Sequence, residues 1–172
     1  MNSMKQTFIR ALLLALALST LLCCVACRNG SYRADVTSTK ITEAAKNAVG
    51  YSGDYFDASE ETYDVYFGTE EAYALVVDCN IVYHVTETNV DQFGVFRTAS
   101  AADAAAVEAM VKAYVDGQVA YLNSFAAAYN RDELSKIENA EVGVLGCYVY
   151  FTILSDSAAD AFRGAMLASI EK

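Results

Sequence analysis

An almost unbroken apolar run, Ala11 to Ala26, opens the chain, and beyond it apolar positions come in shorter periodic groups. Between Val36 and Val49, the residues Ile41, Ala44, Ala45, Ala48 and Val49 form one stripe of an amphipathic helix. Thr37 or Ser38 can cap it, and Gly50 ends it. Tyr51 to Phe67 is dense in Asp, Glu and Tyr. Within it Asp57-Ala58-Ser59-Glu60 resembles a capping box, opening a short helix that stops at Gly68. Ala72 to Val77 and Ile81 to Thr86 are β-branched and aromatic, and read as two strands or as one bulged strand. Alternation sets Ile81, Tyr83 and Val85 on one face and Val82, His84 and Thr86 on the other, which points His84 away from the core. After a loop from Glu87 to Asp91, Gln92 to Thr98 is another strand.

Ser100 to Asp103 starts the longest helix, which runs to about Tyr129. Its stripe is Val107, Val111, Tyr114, Gln118, Tyr121, Phe125 and Tyr129. Asn130 to Lys136 reads as a polar break. Ala140 to Val144 and Cys147 to Leu154 form a hairpin turning at Leu145-Gly146, where Gly146 can take a positive φ. Ser155 to Ser157 cap a final helix with Ala159, Phe162, Met166 and Ile170 facing inward. This order predicts a single α+β domain: a mainly antiparallel sheet packed by a long central helix and a C-terminal helix, preceded by an N-terminal signal segment.

The opening apolar run is short of the ~20 residues of a spanning helix. Lys5 and Arg10 precede it, and Cys24-Val25-Ala26 leads into Cys27. These are the parts of a bacterial lipoprotein signal. The expected organisation is a signal peptide over 1–26, a lipidated Cys27 and polar tether over 27–36, and one α+β domain over 37–172. Acyl chains such as palmitate on Cys27 would anchor the protein to the extracytoplasmic face of the cell membrane. A transmembrane anchor, or cleavage after Ala26 by an ordinary signal peptidase, are the other readings of this segment.

Charge narrows the partners. The formal net charge is −10, and it becomes −12 once Lys5 and Arg10 leave with the signal. So acidic a domain does not suit nucleic acid, whose binding depends on Lys and Arg neutralising phosphates. It also does not suit adsorption to anionic lipid, so the anchor must hold it at the membrane. No cofactor is implied.

Candidate chemistry is sparse. His84 is the only His, so any Ser-His, Cys-His or His-metal chemistry within one chain must use it, yet no motif surrounds it. Asp54, Asp57, Glu60, Glu61 and Asp64 crowd one stretch, as helix capping and a solvated face require and as oxygen ligands of Ca²⁺ would, but without the EF-hand pattern. Tyr55, Tyr63 and Tyr66 are candidates for an aromatic binding patch for glycan or peptide, or for closing over a small core. An extracytoplasmic location permits a Cys79–Cys147 disulfide, although both lie in apolar stretches where buried free thiols are common.

The order Gln92-Phe93-Gly94-Val95-Phe96-Arg97, then a long helix closing on Phe125 and Tyr129, then Val144-Leu145-Gly146-Cys147-Tyr148-Val149, then a Ser-Asp helix cap, resembles a family of small Gram-positive lipoproteins known as domain of unknown function 4358. The resemblance covers roughly residues 92–170 and the signal. It implies a membrane-tethered extracytoplasmic domain and carries no catalytic residues over. The function read from the sequence is a non-enzymatic binding or accessory lipoprotein with a protein or envelope partner. The alternative is a carboxylate-dependent cell-envelope hydrolase using the acidic residues between Tyr51 and Tyr73, which requires two carboxylates converging in a pocket.

Overall fold

The computed structural model describes residues 32–50, 54–84, 86, 88–125 and 131–172. Cys27 and the signal segment lie outside the described residues. The strands are β1 (Tyr55–Asp57), β2 (Val76–His84), β3 (Gln92–Thr98), β4 (Glu141–Leu145) and β5 (Tyr148–Ile153). They make one five-stranded sheet in the order β1-β2-β3-β5-β4, antiparallel at every junction. The helices are α1 (Ser38–Val49), α2 (Glu60–Phe67), α3 (Ala104–Ser124), α4 (Arg131–Glu138) and α5 (Asp156–Ile170), with a 3-10 turn over Glu71–Leu75. The α+β class read from the sequence is the class the chain adopts.

Both faces of the sheet are covered. Val82, Phe93 and Val95 pack with Ile41 and Ala45 of α1 and with Phe162, Met166 and Ile170 of α5. Ile81, Phe96, Val149 and Phe151 pack with Val107, Val111 and Tyr114 of α3 and with Tyr63 and Phe67 of α2. A smaller cluster joins Val90, Leu122, Ile137 and Ile153. A sheet covered on both sides buries its central strands along their length, and β3 and β5 are buried at every position but one each. Alternation therefore misplaces His84. Ile81 and its neighbour Val82 are equally buried, at 0% exposure, because helices close both sides. His84 is half-buried, with its ring edge-on to Tyr55 at 5.5 Å between centroids.

The caps act as their side chains dictate. Thr37 Oγ1 accepts from Lys40 N, Ser59 Oγ from Thr62 N and Ser155 Oγ from Ala158 N, each satisfying a donor the first helical turn leaves open. In the β4–β5 hairpin Leu145 pairs with Tyr148, so Gly146 and Cys147 form the loop. Gly146 has φ 63°, and among the described residues no non-glycine residue has positive φ, the pattern of a type II′ turn.

Elsewhere the chain departs from the expected pattern. The Asn130–Lys136 break contains the start of α4, and β1 is an additional short edge strand. Val76–His84 is a single strand with an irregularity between Val76 and Asp78. The end of the expected tether is docked on the domain. Tyr32 bridges Glu171, Arg33 N donates to Ile170 O at 2.7 Å, and Tyr148 Oη accepts from Val36 N and donates to Val36 O. Among the described residues no helix is long and apolar enough to cross a membrane.

Candidate functional site

A groove of about 620 Å³ lies where β2 ends and β3 begins. Tyr83, His84, Asp91 and Gln92 line it from the sheet side, Phe56 of β1 from one flank, and Gln118 and Tyr121 of α3 with Phe125 at its C-terminal cap from another. Three of these are large aromatic residues left in solvent: Phe56 is 50% exposed, Tyr121 61% and Phe125 50%. They stand in pairs, Phe56 with Tyr83 at 5.6 Å and Tyr121 with Phe125 at 5.1 Å between ring centroids. The long helix explains the second pair. Val107, Val111 and Tyr114 are buried, whereas further along the helix Leu122 takes the core contact. Of the rest of the sequence stripe, Gln118, Tyr121 and Phe125 are thereby turned out of the core to wall the groove, and Tyr129 lies outside the described residues.

Beneath the groove is a buried ionic cluster. Lys136 Nζ lies 2.7 Å from Asp91 Oδ1 and 2.8 Å from Glu133 Oε1. Glu133 Oε2 accepts from Val90 N at 2.9 Å, and Tyr55 Oη donates to Asp91 Oδ2 at 3.1 Å. Burial alone would lower the Lys136 ammonium, but Asp91 and Glu133 hold it above its ordinary value. Asp91 is thus committed to an ion pair. His84 Nδ1 accepts from Thr86 N at 3.2 Å and lies 2.9 Å from Thr86 Oγ1, and among the described residues its ring hydrogen bonds to no carboxylate. A chain of hydroxyls reaches the floor from the core: Tyr83 Oη and Tyr114 Oη are 3.0 Å apart, and Tyr114 Oη donates to Gln92 Oε1 at 3.3 Å. Burial pushes both phenols up and keeps them neutral.

Of the candidate residues singled out in the sequence, His84 lines the groove and the others are not gathered here. Tyr55 and Tyr63 are buried, the first bonded to Asp91, the second donating to Asn80 Oδ1 at 3.1 Å, and only Tyr66 is exposed. They do not form one aromatic patch. Cys79 and Cys147 are free thiols in separate cores, so the disulfide is not formed. Burial pushes the Cys79 thiol up to about 11 and raises that of Cys147, the opposite of an activated nucleophile.

In the acidic stretch, burial pushes the Asp57 carboxyl up, but hydrogen bonds from Lys46 and Asn80 bring it below its ordinary value on balance. Asp78 behaves alike, its burial outweighed by Arg97 and Ser38. Both are ionised structural partners. Among the described residues no group of three or more His, Cys, Asp or Glu is placed to hold a metal ion. The groove aromatics Phe56, Tyr121 and Phe125 were not legible as a set, because the sequence signal of Tyr121 and Phe125 is that of core residues.

Comparison with known families finds a match to the family model described as Domain of unknown function (DUF4358), over residues 74–154. The family matched is the one the sequence resembles. The matched span begins in the 3-10 turn and ends just past β5, so it starts earlier and stops sooner than the resemblance read from the sequence. The DUF4358 segment holds every groove residue named above except Phe56, while α1, β1, α2 and α5 lie outside it. Neither the curated proteins nor the solved structures contain a match to the chain.

Proposed function

We propose that this protein is a lipoprotein anchored through Cys27 to the extracytoplasmic face of the cell membrane, and that its DUF4358 domain binds an envelope component through the aromatic groove rather than catalysing a reaction. The observation that carries the binding reading is the groove itself: exposed aromatic pairs flank a polar floor, at a volume within the ~300–1,000 Å³ of small-molecule sites. Soluble domains seldom leave such groups together in solvent without a partner. A hydrolase would need two converging carboxylates of unlike protonation. Among the described residues Asp91 is the sole carboxylate lining this groove, and it is paired with Lys136.

The anchor is supported by Lys5, Arg10, the apolar run and Ala26 before Cys27. Two measurements test the proposal. Cys27→Ala should abolish fatty-acid labelling and free the protein from the membrane fraction; normal size and membrane retention would refute lipidation at this residue. Benzoylphenylalanine in place of Tyr121 should crosslink to an envelope component in intact cells, whereas the same group at exposed Asp160 on α5 should not. Equal labelling from both positions would remove the groove from the proposal.

A further inference from the structure

We infer that the ligand of this groove is a neutral oligosaccharide. The inference rests on the groove being the binding site and specifies what enters it. A sugar ring has apolar C–H faces that lie flat on aromatic rings and an equator of hydroxyls that both donate and accept. Phe56 on one flank and Tyr121 and Phe125 on another supply open aromatic faces. Between them the polar lining consists largely of carboxamides and hydroxyls.

Gln92 is the most telling of these. It is 5% exposed, and its Oε1 is occupied by Tyr114 Oη. Among the described residues its amide NH₂ has no acceptor. A groove-lining amide that has no acceptor in the protein is open to a ligand oxygen. Asn89, half-buried, presents a second amide to the groove: its Oδ1 accepts from Asp91 N at 2.7 Å, and among the described residues its NH₂ has no acceptor.

Charge and topology exclude other classes. Asp91 is neutralised by Lys136, so the floor offers neither an unpaired cation for a phosphate or carboxylate nor an unpaired anion for an amine. The net charge of −10 repels polyanions. Extended peptides are commonly recognised by pairing their backbone with an open strand edge. The floor strands offer none, because β2 is paired by β1 and β3, and β3 by β2 and β5; the edge strand at the flank, β1, is three residues long.

The test is calorimetric titration of the full chain in detergent with chitotetraose, cellotetraose, maltotetraose and mannotetraose, and with a sulfated tetrasaccharide. At least one neutral sugar should bind saturably. Tyr121→Ala should weaken it about tenfold or more, as loss of a stacking face would. Gln92→Glu, which keeps the shape but replaces the donor by an acceptor, should do the same in protein whose circular dichroism shows it folded. Tyr121→Phe, which keeps the ring, should retain binding.

The inference is overturned if no neutral sugar binds, if binding survives both Tyr121→Ala and Gln92→Glu, or if the sulfated sugar binds as tightly. The crosslinking group at position 121 separates this failure from that of the groove. Crosslinks to a polypeptide, with no sugar binding, would sink the oligosaccharide and leave the groove as a site. Absence of both would sink the two together.

Discussion

Gly94 lies in the middle of β3 with its Cα opposite Phe151 on β5. A β-carbon at this position would fall 2.5 Å from Phe151 Cε1, 3.1 Å from Ile81 Cγ1 and 3.2 Å from Asn80 O. Non-bonded carbons rest at about 3.5–4.0 Å, so the phenyl ring would have to yield by ~1 Å. It has little room to do so. Phe151 and Ile81 are fully buried, and the Phe151 ring meets Tyr114 edge-on at 5.5 Å between centroids. Overpacking of this kind costs ~1–3 kcal/mol. The stiffer unfolded chain returns only ~0.4–1 kcal/mol. Gly94→Ala should therefore destabilise the domain by ~1–2 kcal/mol. Phe151→Leu removes the colliding ring edge, so the same substitution in that background should cost less by ~1 kcal/mol. Urea unfolding of the wild type, both single variants and the double variant measures this coupling. A Gly94→Ala protein as stable as wild type, or a penalty identical in both backgrounds, would refute the close approach of strand and ring.

Other consequences can be read by unfolding measurements. Lys136→Met leaves the buried carboxylates of Asp91 and Glu133 without their cation and should cost ~3 kcal/mol, with Glu133→Gln in the same chain restoring part of it; an unchanged midpoint would show that the cluster contributes nothing. Gly146→Val forces a β-branched residue to φ 63° and should cost ~1–2 kcal/mol or more by the same assay, or the turn is built differently. Alkaline pH should destabilise the fold. Burial pushes the Tyr63 and Tyr73 phenols up from 10.0 to about 12, so the folded state keeps protons that the unfolded state releases. Their contribution is whole below pH 10.0 and is lost as pH rises toward 12, and Lys136, also raised, acts in the same direction. A melting temperature constant across that interval would contradict this.

What the sequence disclosed follows from where its signals are local. The stripes and caps of α1 and α5 and the positive φ of Gly146 depend on residues a few positions apart, and they are found where the pattern places them. Helix α4 was missed because one of its inward positions is Glu133, which is buried through charge pairing with Lys136 and so does not register as apolar. β1 was missed because a short edge strand is held by backbone pairing with β2, which side-chain pattern does not report.

The groove was the least legible feature. Tyr121 and Phe125 continue the spacing of Val107 and Val111, and only the packing shows that this face of α3 leaves the core. Tyr55, Tyr63 and Tyr66 look alike in sequence. The first turns to Asp91, the second to Asn80, and the third packs edge-on against Tyr114.

Burial of both sheet faces also alters how the strands find their alignment. In a sheet with one wet face, a slip of one residue exposes the apolar set and is rejected for that reason. Here either face would accept most of β3, so water discriminates weakly between registers. Shape and charge must do so instead. A single-residue slip of β3 against β5 would carry Phe93 or Val95 beneath the Phe151 ring, into space that Gly94 leaves empty. It would also turn Arg97 away from Asp78 and into the core under α3. On the outer strand, Gly143 beneath Tyr150 repeats the fit. Glycine and aromatic residues facing each other across neighbouring strands thus work as teeth and notches, keying an alignment that hydrophobic sorting alone would leave loose.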